Sequence, residues 1–411
     1  MRRRVAVVAP EPIRPSMAGM GIRALELAAA LAPRFDVRLL ASNDPAEAPR
    51  RPGLEVVAAP PGSAAFHREL KACDAALVSG HAASEVFLSA PHLPIAVDWY
   101  DPFLVENFHY RETLGEEVEV NDRRAWNLAL ARGDFFLCAS EEQRLFYAGM
   151  LVLAGRIDAA SSARDPEARS LLAVVPFGAS EPPPRDPAPV RAAIGAGPDD
   201  PVLFFGGLYD WHDLSPLYAA WPDLLRQFPR LSIVFSENPN REQTPQRVFE
   251  DAVSTSEKRG WKGRSFHFLP WMPYEERGAL YGAASAALAL CRPGLETELS
   301  FRTRLLDAAA AGLPSVSIHG GALARRLADA GAGWIVPDAA GLGAALARAL
   351  GEPSVRQAAS ERARRFAEGL AWPLVAAPLA EFLENPRVSS RLPFPEARPR
   401  PAFRLLRRGR S

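Results

Sequence analysis

The sequence predicts an α/β protein of two doubly wound parallel-sheet domains facing a central cleft, and three observations lead there. Short apolar runs such as RVAVVA and SAALALC alternate with longer stretches of helical periodicity. A Pro-rich segment, EPPPRDPAPVR at 181–191, interrupts the alternation near its middle, after which the pattern restarts. At 411 residues the chain is too long for one ordinary core and is sized for two.

In the first half, strands are expected at 4–9, 36–42, 53–59, 72–80, 93–98, 134–140 and 173–178, with helices at 22–31, 117–132 and 141–153. The segment 181–191 is read as a linker that is neither helix nor inner strand. Six further strands are expected at 200–207, 231–236, 264–270, 285–291, 314–318 and 333–336, separated by helical stretches. Helices near 354–368 and 373–384 close the folded part. The last 26 residues, 386–411, hold eight arginines and one glutamate among several prolines and read as a disordered tail.

Composition excludes several classes. Lys plus Arg and Asp plus Glu both number 48, so no net charge directs the chain to nucleic acid. The three cysteines, Cys73, Cys138 and Cys291, lie singly in apolar runs, which argues against a zinc site or a disulfide framework and for a reducing compartment. The apolar run after MRRR is too short for a signal peptide, and no stretch approaches the ~20 apolar residues of a membrane span. A cytoplasmic protein is expected, soluble or held at the inner face of a membrane.

Parallel sheets place their chemistry in loops after strands. The loop SMAGMGIR (16–23) follows the first strand, and Gly19 and Gly21 let a ligand approach the start of a helix, where amides favour an anion. On these residues alone a tight turn explains the glycines equally well, and the third glycine of a dinucleotide fingerprint is missing. AVDWYDPFLVENFHY (96–110) groups Asp98, Trp99, Asp101, Glu106 and His109 after a strand. Carboxylates bind sugar hydroxyls and an indole stacks on a ring face, so Asp98 is placed at a transferred sugar or acceptor hydroxyl. The other reading makes Asp98 or Asp101 a helix cap, and His109 reads as a surface histidine. FFGGLYDWHDL (204–214) presents Gly206 and Gly207 as amide donors for phosphate, with Asp213 a possible N-cap. The densest stretch is RPGLETELSFRTRLLDAAAAGLP (292–314). Arg302 and Arg304 have the forked geometry that suits a diphosphate, and Asp307 shares a helix face with Arg304. Simple pairing of Arg304 with Asp307 is the competing explanation. No DxD pair is placed to clamp a metal.

Together LAVVPFGAS, FFGGLYDWHDL, FLPWMPYEER, LETELSFRTRLLDAAAAGLP and MAGMGIRALELA resemble GT-B glycosyltransferases, particularly the retaining family-four type of bacterial glycan synthesis. The resemblance runs in order to about residue 384. It implies two Rossmann-like domains: an acceptor-side domain at 1–180, rejoined by a crossover helix near 370–385, and a nucleotide-sugar domain at 181–369. It also implies that Asp307 grips the nucleotide ribose, and that Glu296, ahead of Glu298, stands near the acidic position that touches the donor sugar; Glu296 and, from the residues themselves, Asp98 are the catalytic candidates. By the same resemblance, Leu269 and Trp271 lie in a base-reading loop, and Gly19 and Gly21 face the diphosphate and sugar. The donor is a nucleoside-diphosphate sugar, with no metal and no cofactor. The acceptor is a glycan, a lipid-linked or a small-molecule hydroxyl, and configuration is retained. One departure stands out: the family's Arg and Lys after the first strand of the second domain are absent from GGLYDWHD, and Arg302 and Arg304 are expected to replace them. That absence also favours the alternative, a non-catalytic homologue that binds a glycan or a partner transferase. A nicotinamide-dependent oxidoreductase lacks its glycine fingerprint here. The arginine-rich tail suits anionic lipid head groups, although a solvated tail is the commoner case.

Overall fold

The computed structural model describes residues 2–180, 182–238 and 244–395. The chain divides into two compact units, Met1–Gly178 with Trp372–Ser411, and Ala179–Ala371.

The first unit holds seven strands: β1 (Arg4–Val8), β2 (Asp36–Ala41), β3 (Glu55–Ala58), β4 (Ala75–Ser79), β5 (Ile95–Asp98), β6 (Phe135–Cys138) and β7 (Leu172–Val174). They form one sheet in the order β3-β2-β1-β4-β5-β6-β7, every neighbouring pair parallel. Helices cover both faces of such a sheet, so its central strands are apolar on both sides. All of Ala75–Ser79 and all of Phe135–Cys138 are accordingly buried. The core gathers Trp99, Trp126, Phe136 and Tyr147, with Trp99 stacked on Phe136 at 4.2 Å between centroids.

The C-terminal helices Trp372–Val375 and Ala377–Glu384 belong to this unit. Gly178 has no side chain because the Trp372 indole fills that position, and Phe135 stacks on Phe382 at 4.8 Å. Residues 386–395 correct the expectation of a tail disordered from 386. They lie against the first unit because a buried acid captures them. Asp134 accepts from the Ser389 N–H at 2.9 Å and from Arg391 Nε at 2.9 Å, and both side chains of the Arg391–Asp134 pair are almost fully buried. Arg132 lies 4.1 Å from the Phe394 ring. Residues 396–411 of the expected tail are outside the described residues.

The second unit holds β8 (Val202–Gly207), β9 (Ser232–Ser236), β10 (Phe266–Leu269), β11 (Ala286–Leu290), β12 (Ser315–Ile318) and β13 (Gly333–Ile335). Their order is β10-β9-β8-β11-β12-β13, again all parallel. The doubly wound class read from the sequence is thus borne out in both units. The segment 181–191 differs from its expectation as a helix-free linker, since a helix spans Ala188–Ala193. Pro187 and Pro189 fall at its start, where the missing N–H of proline costs nothing. Among the described residues no helix is long and apolar enough to cross a membrane.

Candidate functional site

Open parallel sheets bind ligands beyond the carboxyl ends of their strands, where the strand order reverses. In the second unit that point lies between β8 and β11. β8 ends in buried Gly206 and Gly207, and its register slips between Phe204 and Gly206. Gly206 has φ +82°, and a Cβ there would stand 3.2 Å from the Phe204 ring, so this bulge requires glycine.

Arg304, near the start of the helix Thr303–Ala310, reaches this bulge. Its Nη1 donates to the carbonyls of Phe205 and Gly207 at 3.2 and 2.6 Å, and its guanidinium lies 5.6 Å from the Tyr209 ring. Among the described residues no carboxylate forms an ion pair with it. Burial holds its pKa below the ordinary value, but a guanidinium remains charged at neutral pH. The end of β8 therefore carries a cation that no described carboxylate neutralises.

Asp307 follows one turn later. Tyr281 donates its hydroxyl to Asp307 Oδ2 at 3.4 Å, and Arg277 Nη1 lies 3.7 Å from the same oxygen. Burial pushes the Asp307 carboxyl up to about 6, against the opposing pull of Arg277 and the Tyr281 hydrogen bond. Trp271 approaches from the loop after β10, its ring 3.5 Å from where a Gly207 Cβ would stand. Arg277 sits 4.8 Å from the Trp271 ring and 5.5 Å from that of Tyr274. Leu269 ends β10, and its carbonyl accepts the Glu237 N–H at 2.9 Å. Gly206, Gly207, Trp271, Arg304 and Asp307 are thus brought together, with Leu269 on the strand leading to them. Sequence reasoning missed Arg277 and Tyr281. The signal was the end of FLPWMPYEER, which we read for its aromatic loop and not for its arginine.

The remaining candidates are committed to partners. Arg302, expected at the diphosphate, donates Nη1 and Nη2 to Glu296 at 2.9 and 2.7 Å, with both side chains of the pair at most 6% exposed. Ser300 and Thr297 also bond Glu296, at 2.6 and 3.2 Å. Each charge is offset by the other, so in this structure Arg302 is turned to Glu296 and neither side chain carries an uncompensated charge. Glu298, the second choice, is exposed and pairs with Arg325 at 2.8 Å.

In the first unit, Asp98 ends β5 in a buried bidentate pair with Arg23, at 2.6 and 3.0 Å. Arg23 also donates to the carbonyls of Pro176 and Val175, both at 2.8 Å, so the pair ties the helix Gly19–Leu31 to β5 and to the segment after β7. Asp98, expected at a sugar hydroxyl, is in this structure engaged by Arg23. Trp99, expected to stack on a sugar, is a core residue. Gly19 opens the helix Gly19–Leu31, and the amide of Gly21 donates to Glu11 Oε1 at 2.6 Å. Glu11 thus fills the anion position that we assigned to the donor at these glycines. In GGLYDWHDL, Asp210 pairs with Arg247 at 2.8 Å. Asp213 accepts the Ser215 N–H at 2.9 Å, but the helix Ser215–Gln227 takes Leu214 as its N-cap, so Asp213 stands one residue ahead of the cap position expected for it.

Residues 199–352 match the family model described as Glycosyl transferases group 1. The second unit carries a group 1 glycosyltransferase domain. By class the chain is a glycosyltransferase, with the two-unit parallel α/β fold of the GT-B group. No curated protein matches it by sequence. Among solved structures it is similar to a sucrose-phosphate synthase from Thermosynechococcus elongatus (TM-score 0.67, 16% identity, 93% of this chain and 98% of that one). HepE from Anabaena in complex with UDP-glucose gives TM-score 0.67 at 14% identity, covering 93% and 99% of the two chains. WaaG, a glycosyltransferase involved in lipopolysaccharide biosynthesis, gives 0.61 at 18%, covering 93% and 100%. These likenesses establish the fold across both units, and the residue-level chemistry of the glycosyltransferase domain rests on its own geometry.

Proposed function

We propose that this glycosyltransferase moves a sugar from a nucleoside-diphosphate donor to an acceptor hydroxyl, with retention of configuration, in bacterial surface-glycan or glycoconjugate synthesis. The observation that carries the donor half is the uncompensated Arg304 guanidinium beside the Gly206–Gly207 bulge at the strand-order reversal. A diphosphate placed there meets a fixed cation, and Asp307 one turn on accepts hydrogen bonds from ribose hydroxyls. The Leu269–Trp271 loop supplies backbone and an aromatic face for the base. HepE, of similar fold, is solved with UDP and UDP-glucose, which supports this choice of ligand.

Departure of the diphosphate is the step the chain assists. Arg304 neutralises charge as the glycosidic C–O bond breaks, and a preset cation needs no reorganisation at that moment. The acceptor oxygen then bonds the anomeric carbon and passes its proton to an oxygen of the departing diphosphate. The reading involves no cofactor. Residues 396–411 supply peripheral contact with anionic lipid at the cytoplasmic face, which suits a lipid-linked acceptor. Thermal stabilisation by a panel of UDP-, GDP- and ADP-sugars identifies the donor. Arg304→Ala is expected to weaken nucleoside-diphosphate binding about ten-fold or more in calorimetry, since hydrogen bonds to charged groups contribute about 1.5–3 kcal/mol. Unchanged affinity removes the assignment. NMR of the product linkage tests retention, and an inverted anomer rejects it.

A further inference from the structure

The second unit holds a cavity of about 410 Å³, a size that suits a small molecule, away from the residues grouped around Arg304. Gly331 and Trp334 line it from the turn into β13 and from β13 itself. Arg348 lines it from the helix Ala339–Gly351, and Ser354, Ala358 and Arg362 from the helix Pro353–Glu368. β13 is the outermost strand of its parallel sheet, so its amino end lies at the opposite edge from the carboxyl end of β8. We infer that this cavity is a second ligand site, and that it takes the phosphate monoester of a sugar. The inference is independent of the donor reading above.

Arg362 supplies the charge. It is exposed, and among the described residues it forms no hydrogen bond or ion pair. Its side chain lies close over Gly331, where a Cβ would stand 3.1 Å from Nη1 and 3.2 Å from Cδ. The φ of +66° at that position favours glycine as well, so the turn leaves room for the arginine. A guanidinium at a cavity wall, with no described carboxylate to neutralise it, offers its fork to phosphate oxygens. Arg348 adds charge at the same cavity but shares it with Glu352 at 3.7 Å. Both of those side chains are more than half exposed, and the inference rests on Arg362.

Trp334 and Ala358 supply the rest. The indole is packed against the core, which fixes it as a wall, and the small Ala358 keeps the cavity open. A sugar ring lays its C–H face on an indole, and Ser354 offers a hydroxyl to its polar edge. Inorganic phosphate alone would leave the indole uncovered, and an uncharged sugar would leave Arg362 unmatched. A sugar phosphate satisfies both.

The test is calorimetric titration of the full chain with the 1- and 6-phosphates of glucose and of N-acetylglucosamine. Inorganic phosphate, glucose and UMP are the comparison ligands. The wild type is expected to bind at least one sugar phosphate about ten-fold or more tighter than inorganic phosphate or glucose. Arg362→Ala is expected to lose about ten-fold or more of that affinity, and Arg362→Lys to recover part of it. Arg362 is exposed, so both variants should keep the wild-type thermal midpoint. Ala358→Leu fills the cavity while leaving both arginines, and should weaken the sugar phosphate but spare inorganic phosphate. Arg304→Ala should bind the sugar phosphate as the wild type does, which separates this site from the donor site. A wild type that binds none of the four sugar phosphates overturns the proposal, as does equal binding by Arg362→Ala. Binding that disappears in Arg304→Ala assigns the ligand to the donor site and rejects the cavity. UMP binding that depends on Arg362, without sugar-phosphate binding, rejects the sugar.

Discussion

Arg302 and Arg304 stand two residues apart in SFRTR with opposite fates, and the sequence does not separate them. The backbone turns into a helix at Thr303, which sends Arg302 to Glu296 and Arg304 to the end of β8. Their energetics differ accordingly. Glu296→Ala leaves a buried, uncompensated guanidinium and is expected to cost about 3–5 kcal/mol, whereas the double replacement Glu296→Leu with Arg302→Met is expected to cost far less. Urea unfolding of the three proteins decides it; a double variant as unstable as the single one would show that the pair's charge is not the issue. Asp307 gives a pH signature. Its carboxyl is raised to about 6 from an ordinary 3.8, so between these values the folded chain keeps a proton that the unfolded chain releases. The stability this contributes is complete below about pH 4 and is lost as pH rises through about 6, at most about 3 kcal/mol. Asp307→Asn should flatten the fall in thermal midpoint between pH 4 and 7 relative to wild type; parallel curves would count against the shift.

At the scale of elements most of the architecture was legible, because a strand buried on both faces has no choice but to be a continuous apolar run. AALVS and AALAL are such runs, and every residue of each is buried. The helix Ala188–Ala193 was hidden by its own prolines, which break a helix interior but not its first turn. Charged residues were legible as candidates and illegible as partners, since Asp98 meets Arg23 across 75 positions of sequence. Glycine separates the same way. Gly206 sits at φ +82°, and Gly206→Ala should cost about 1–2 kcal/mol in that left-handed backbone, with donor affinity falling as the bulge relaxes. Guanidinium unfolding with nucleotide titration measures both, and an unchanged unfolding midpoint would show that the bulge tolerates a side chain.

For the whole molecule the C-terminal segment has two parts with different physics, and truncations separate them. Residues 386–395 bring Arg391 to the buried Asp134, so a chain ending at Asn385 strands that carboxylate without its cation. Loss of one partner from such a pair costs about 3–5 kcal/mol, and the first unit should unfold at clearly lower denaturant. A chain ending at Pro395 keeps the pair and should match the full chain in stability. Beyond it lie six arginines and one glutamate, enough for anionic-surface binding at about 1 kcal/mol per basic residue. Co-sedimentation with vesicles of anionic phospholipid should fall sharply for the chain ending at Pro395, and the full chain's binding should fall with added salt as its charges are screened. Because the shorter chain keeps its fold, equal sedimentation of the two would assign lipid contact elsewhere on the protein and remove it from residues 396–411.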